Sequence, residues 1–406
     1  MSVVRGTNSS ARTDTVLFIG LVLMAASLPL YRIASTPFLV ALAVMLPVHL
    51  VMGGWHVLRD AVRARPAVCW MLALGGLYLA SALWSTDGRE AMVEVIDKLP
   101  LVLVPLVVGS LRWDRRRWQT ILLVFVLACL VAFAVCMVHR TWVWSTTGEA
   151  SFLYEDLVRI LWMHPTYLAL QLNAALVATA WLVRERRLRP VVGVVIAVLL
   201  VAFVLLLTVR LQILVSMVVL AWSVMHLVQR RRTVWLALGG LVLALSLTVA
   251  VVEPLRMRFY YARTFEYEIT KENPFHWNGL NVRLAIWSCA ADAIAERPVF
   301  GHGVGDDHQA LLAAYEQRGF TFGRTMDYTA HNAYVQAALA IGVVGAGLLV
   351  VLLAAMWWTA PSWLTRGITL VFAATGVTES FLNMQTGVVV FAVFASLVLL
   401  HERALR

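Results

Sequence analysis

Arginine and histidine at the borders of apolar runs are the side chains of this 406-residue sequence best suited to chemistry. Arg210 interrupts the apolar run 190–228, Arg283 stands near the start of an amphipathic stretch, and His331, followed by Asn332, opens another apolar run. Ionisable groups at membrane depth are costly and are functional candidates by default. Two guanidinium groups facing one cavity make a bidentate clamp for phosphate or pyrophosphate. A histidine at a helix N-terminus meets the positive end of the helix dipole, which disfavours the imidazolium. The neutral ring is what a general base requires. Each position also has a plainer reading. Arg210 can snorkel to headgroups, Arg283 can sit in solvent, and His331 can cap its helix.

Other clusters carry less. His302, Asp306, Asp307 and His308 resemble a hard-metal or zinc constellation, but they follow the turn Gly301-His302-Gly303-Val304-Gly305, which favours a solvated loop. No Asp-x-Asp pair occurs in the chain, so metal-dependent transfer from a nucleotide sugar is not expected. Cys129 and Cys136 lie seven apart on one helical face and read as packing. With Cys69 and Cys289 they form neither a metal-type spacing nor a disulfide framework.

The elements that hold these residues must be membrane helices. Apolar residues make up 61% of the chain and charged residues 14%, against roughly 45–50% and about 25% in soluble domains. A soluble multidomain enzyme is excluded. Apolar runs predict twelve spans, near 15–31, 37–54, 67–84, 98–111, 118–138, 165–183, 190–208, 211–228, 233–252, 331–357, 363–381 and 385–400. The run 190–228 would be roughly 58 Å long as one helix, so it must fold back around Thr208 to Gln212. The polar stretch up to Asp14 precedes a retained first helix rather than a removed signal peptide.

Charge sets the orientation. With both termini inside, the interior connections hold Arg59, Arg63, Arg65, Arg112, Arg115 to Arg117, Arg184, Arg186, Arg187, Arg189 and Arg230 to Arg232. Most basic residues left outside fall in one long connection, which the positive-inside rule weighs lightly. The net charge of +10 thus reflects topology and not nucleic-acid binding. The chain divides into spans one to nine (1–252), an outer segment (253–330), and spans ten to twelve with a short tail (331–406). In the outer segment, 281–296 has apolar residues at Leu284, Ile286, Trp287, Ala290, Ala291 and Ile294, compatible with an amphipathic helix. Its aromatics, Phe259, Tyr260, Tyr261, Phe265, Tyr267, Phe275 and Trp277, suit an ordered segment resting on the outer leaflet.

Four fragments recur in order: Arg283-x-x-x-Trp287, Pro298 with Gly301-x-Gly303, His331-Asn332-x-x-Val335, and Glu379-Ser380. Upstream stand Arg159 and His164-Pro165-Thr166-Tyr167. Together they resemble the O-antigen ligase and polymerase superfamily of bacterial envelope glycosyltransferases, over 200–400 far more than over the first 150 residues. The resemblance implies an all-α polytopic membrane protein of GT-C-like architecture, in the bacterial inner membrane, with its active site facing the periplasm. It implies transfer of a finished polysaccharide from undecaprenyl pyrophosphate to a sugar of the lipid A core, without cofactor, metal or nucleotide sugar and with inversion. Carried onto this chain, Arg210 and Arg283 match arginines that hold the pyrophosphate, and His331 the essential histidine. Arg159, His164, Tyr167, Asn332, Tyr334 and Glu379 are substrate-binding candidates.

The expected partners are the lipid-linked donor, the lipid A-core acceptor and the bilayer, with no nucleic acid. Three alternatives stand beside a ligase. An O-antigen polymerase uses the same donor, and some carry paired Arg-x10-Gly motifs in two outer loops. Here that spacing occurs only from Arg65 to Gly76, on the inner side. A protein O-oligosaccharyltransferase typically adds a larger C-terminal soluble region. A transporter would need polar residues along the bundle interior.

Overall fold

A computed structural model describes residues 2–251, 253, 256, 269, 277, 279–359 and 362–400. The outer-segment aromatics from Phe259 to Phe275 lie outside the described residues. The helices are α1 (Ser2–Ser27), α2 (Thr36–His49), α3 (Trp55–Ala64), α4 (Val68–Ser81), α5 (Gly88–Lys98), α6 (Pro100–Ser110), α7 (Arg115–Thr147), α8 (Tyr154–Val158), α9 (Pro165–Arg184), α10 (Pro190–Leu207), α11 (Arg210–Leu227) and α12 (Arg231–Val251). After the outer segment begins come α13 (Asn281–Glu296), α14 (Asp307–Gln317), α15 (Thr321–Thr325), α16 (Ala333–Thr359), α17 (Trp363–Gly376) and α18 (Gln385–Leu400). No strand occurs among the described residues.

Six helical runs are long and apolar enough to cross a bilayer: Thr36–Ala64, α7, α9, α10, α11 and Ala333–Trp358. Helices also stand at the other six expected positions. Two of these, α4 and α18, are apolar but short, and α6 has 11 residues. The fold-back expected after residue 207 is present. Thr208 adopts a left-handed conformation (φ 52°) that ends α10, and Arg210 starts α11.

Helix α9 is the axis of the bundle. Its span is 94% buried, against 33% for α10 and for α11. Polar side chains bind it to two neighbours. Asn173 Nδ2 donates to Gln212 Oε1 (2.8 Å), Gln212 Nε2 donates to Thr375 Oγ1 (2.9 Å), and Ser216 Oγ donates to Asn173 Oδ1 (2.6 Å). All four are buried, so α9, α11 and α17 are joined by satisfied interhelical hydrogen bonds.

Contacts sort the connections into two groups. Arginine-rich connections meet one another: Arg115 pairs with Glu185, Arg117 with Asp14, and Arg184 donates to the His226 carbonyl. The other connections meet likewise. Arg32 N donates to Leu161 O, Thr386 Oγ1 to Arg32 O, and Thr86 and Asp87 N–H groups to Asp306. This alternation is what an up-and-down bundle produces.

Helix α16 is broken near its start. Ile341 (φ −128°, ψ 19°) and Gly342 (φ 71°, ψ −178°) are non-helical, so the ladder opens there. The glycine turn closes it. His302 N donates to Leu339 O (2.8 Å), Gly303 N to Ala340 O (2.9 Å), and Val343 N to Pro298 O (2.8 Å). Irregular backbone at membrane depth is tolerated only where protein satisfies it. A Cβ on Gly342 would lie 2.0 Å from Val299 O, and one on Gly303 (φ 95°) would lie 2.3 Å from Ser85 Oγ. Only glycine fits these close approaches. The turn also meets α4, with Val304 N donating to Ser81 Oγ at 3.2 Å.

Two readings of the sequence are corrected here. Helix α13 buries Val282, Ala285, Ile286, Cys289, Ala290 and Ala293 against Leu311, Ala314, Tyr315 and Leu339. Leu284, Trp287 and Ile294 are only partly buried and Ala291 is exposed. Small side chains take the inner face because α13 lies close to α14 and to the upper part of α16. Second, α16 begins at Ala333, not at His331. Asn332 caps it, Oδ1 accepting from Tyr334 N (2.9 Å) and Val335 N (3.0 Å). His331 precedes the cap in a left-handed conformation (φ 44°), outside the first turn, where a dipole effect is strongest.

Candidate functional site

Five connections converge on a cavity of about 500 Å³. One wall carries His164, Tyr167, His331 and Glu379; the other carries Asp87, Glu90, Glu94, Asp307 and His308. The first wall joins four of the residues singled out in the sequence. In the second, Asp307 and His308 belong to the metal-like cluster noted in the sequence, whereas Asp87, Glu90 and Glu94 were not anticipated, yet they lie at i, i+3 and i+7, one face of a short helix. That spacing was readable.

Glu379 sits on the loop 377–384 between α17 and α18, and three side chains from elsewhere grip that loop by its carbonyls. Asn332 Nδ2 donates to Val377 O (3.0 Å), Arg283 Nε and Nη2 donate to Thr378 O (3.3 and 3.2 Å), and Tyr167 Oη donates to Ser380 O (3.2 Å). Ser380 Oγ in turn accepts from Asn332 N at 3.0 Å. The result holds the buried Glu379 carboxylate 3.9 Å from His331 Nδ1. Burial acts to raise the Glu379 carboxyl, but contact with His331 and the charges of His164 and Arg283 outweigh it and leave the group below the ordinary glutamate value. Burial lowers the His164 imidazole, with Glu379 and Glu155 opposing. On the opposite wall Asp307 accepts from Gln336 Nε2 at 2.7 Å. Removal from water, and then the neighbouring Glu94, push Asp307 up to about 7.

The remaining expected residues fall around this cavity rather than in it. Arg283 borders it through Thr378, its Nη1 donating to Gly279 O at 2.5 Å. Arg210 is half-buried at the first position of α11, two residues before Gln212 of the buried network. Tyr334 Oη donates to Ala373 O at 3.0 Å, so it fastens α16 to α17. Asn332 is a cap and a loop clasp. Arg159 is exposed in a single turn of 3-10 helix and does not line the cavity.

The His302 to His308 cluster does not converge on a metal site, and beyond the buried His302 its Asp306, Asp307 and His308 stay partly solvated. His302 is buried, and its Nε2 donates to Ala293 O at 2.7 Å. Asp306 accepts from Thr86 and Asp87, and His308 meets Asp327 at 2.8 Å. Among the described residues no three His, Cys, Asp or Glu side chains converge as metal ligands.

Residues 195–350 match the family model described as O-Antigen ligase. That match supports an O-antigen ligase family assignment for the chain. The matched segment contains Arg210, Arg283, His331, Asn332 and Tyr334; Arg159, His164, Tyr167 and Glu379 lie outside it. The family's enzymes are glycosyltransferase-like and imply lipid-linked sugar substrates in a membrane. No curated protein matches the chain.

Proposed function

We propose that this family member is an O-antigen ligase, transferring polysaccharide from undecaprenyl pyrophosphate to a sugar of the lipid A core. The observation that carries the reading is the pairing of His331 with the buried Glu379 in a cavity bordered by Arg283, within and beside the matched segment. The acceptor hydroxyl enters from the acidic wall, whose carboxylates can accept hydrogen bonds from sugar hydroxyls. His331 takes the hydroxyl proton as the oxygen attacks the anomeric carbon, and Glu379 offsets the charge of the imidazolium formed. The bond between that carbon and the pyrophosphate oxygen breaks, with inversion at the carbon. Charge on the departing pyrophosphate is met by Arg210 and by the Arg283 N–H groups not engaged with carbonyls. His164 and Tyr167 complete the wall against the donor sugar. Asn332 and Tyr334 serve the geometry rather than the substrate, and Arg159 has no assigned role in this step.

The same reading supplies the topology: twelve crossings in a GT-C-like bundle, both termini cytoplasmic, and a periplasmic cavity in the inner membrane, with 253–330 as a loop domain. The alternation of contacts between connections supports it. With no Asp-x-Asp pair to hold a divalent ion, turnover is expected to continue in excess EDTA. Lipopolysaccharide from a deletion strain tests the activity. Loss of all capped lipopolysaccharide, with lipid-linked polymer accumulating, is the expected result. A single repeat unit still attached to core would instead mean polymerase, and unchanged lipopolysaccharide would refute both.

A further inference from the structure

A second cavity, of about 1530 Å³, opens at the opposite end of α10 from Arg210. Its walls are apolar stripes of three helices. Gly193, Ala197, Val201 and Leu205 line it from α10, Ala180 and Val183 from α9, and Leu220 and Val224 from α11. The i, i+4 spacing along α10 shows that one continuous face is turned inward to the wedge. Gly193 packs on Val183 of α9, whereas Ala197, Val201 and Leu205 are only partly buried.

The mouth is basic. Arg184, Arg186, Arg187 and Arg189 line it, and no Asp or Glu does. Arg184 is committed to the His226 carbonyl. Arg186, Arg187 and Arg189 are exposed and have no side-chain partner among the described residues. Glu185, the nearest carboxylate in sequence, is already paired with Arg115.

We infer that this wedge is a binding site for an anionic glycerophospholipid of the surrounding bilayer. One acyl chain lies along the α10 stripe and the phosphate sits among Arg186, Arg187 and Arg189. The stripe from Pro190 to Leu205 runs roughly 22 Å, enough for an acyl chain that fills half of a core about 30 Å thick. The planar guanidinium forks suit a phosphate oxygen pair. A lipid phosphate also matches a mouth whose lining holds four arginines and no carboxylate.

Native mass spectrometry of the full chain in neutral detergent tests this, titrating phosphatidylglycerol against phosphatidylcholine with identical acyl chains. Each arginine near an anionic headgroup contributes about a fivefold gain in affinity. The three together give a preference for phosphatidylglycerol on the order of a hundredfold. The R186Q/R187Q/R189Q variant is expected to bring that preference to within a few-fold, and A197F to weaken both lipids by filling the wedge. Equal retention of the two lipids by wild type, a preference surviving in the triple variant, or binding unchanged in A197F each overturns the site. Thermal unfolding of wild type needs no variant: phosphatidylglycerol should raise the midpoint and phosphatidylcholine should not, and equal shifts would likewise refute it.

Discussion

Replacing Asp307 by Asn should make the protein more stable at alkaline pH than at acid pH, relative to wild type. Asp307 is held near 7 by removal from water and by the adjacent Glu94, against an ordinary value of 3.8. A carboxyl whose folded-state value is raised favours the fold while it stays protonated. Its contribution is whole below about 4 and is lost as pH rises through about 7. The shift corresponds to at most about 4 kcal/mol. Water entering the cavity screens the carboxylate and reduces this to about 2 kcal/mol. Asparagine does not titrate and keeps an oxygen for the Gln336 N–H, so the hydrogen bond survives. At about 2 °C per kcal/mol for a large chain, the midpoint of D307N minus that of wild type should rise by roughly 4 °C between pH 4 and pH 8.5. Tryptophan fluorescence during thermal unfolding in detergent reads this directly. A difference that is flat with pH, or that falls, would show that Asp307 ionises without penalty and that the wall is open to water.

His331→Gln should lower turnover about 10²- to 10⁴-fold at saturating donor, with normal expression; rates near wild type in a single-turnover assay would move the base elsewhere. Arg283→Ala should lose more than Arg210→Ala, because it also releases the loop that carries Glu379. Arg283→Lys should rescue poorly, since one ammonium cannot replace the fork on Thr378, and full rescue measured by donor turnover would contradict both roles. Gly342→Ala should destabilise the protein by about 2 kcal/mol or more, combining a left-handed backbone with a clash against Val299. Gly347→Ala in the same helix, with nothing within 4 Å of an added Cβ, should be neutral or stabilising by about 0.5–1 kcal/mol. Equal midpoints for the two variants would remove the argument.

Long apolar runs made the helix positions legible, and the polar interruption at Thr208 to Gln212 gave the turn that bears Arg210. The order Arg283, His331, Glu379 pointed to one site, and the structure brings Arg283, His331 and Glu379 together. What local pattern could not carry was partnership. Nothing near Asn332 shows that its amide will hold Val377, or near Gly303 that its N–H will be needed by Ala340. Asp87, Glu90 and Glu94 of the acidic wall were missed because 85–97 read as a mere gap between spans, although these carboxylates share a helical face. On α13 the sequence picked out Ile286 and Ala290, which are buried, but passed over Ala285, Cys289 and Ala293, because large side chains were weighted over small ones, whereas close helix packing selects Ala and Cys.

The break in α16 bears on how the chain is made. The amides of His302 and Gly303 leave the ribosome before the carbonyls of Leu339 and Ala340 that they will meet, and after the Ser81 and Ser85 hydroxyls that take Val304 and Gly305. Docking of the glycine turn therefore begins on α4, already synthesised, and waits for the first third of α16 to emerge. Ala333–Trp358 is one run long and apolar enough to cross a bilayer, so its insertion is what brings the Leu339 and Ala340 carbonyls to the turn. A nascent chain halted before residue 339 would leave the turn held on its α4 side alone, and so more open to proteolysis.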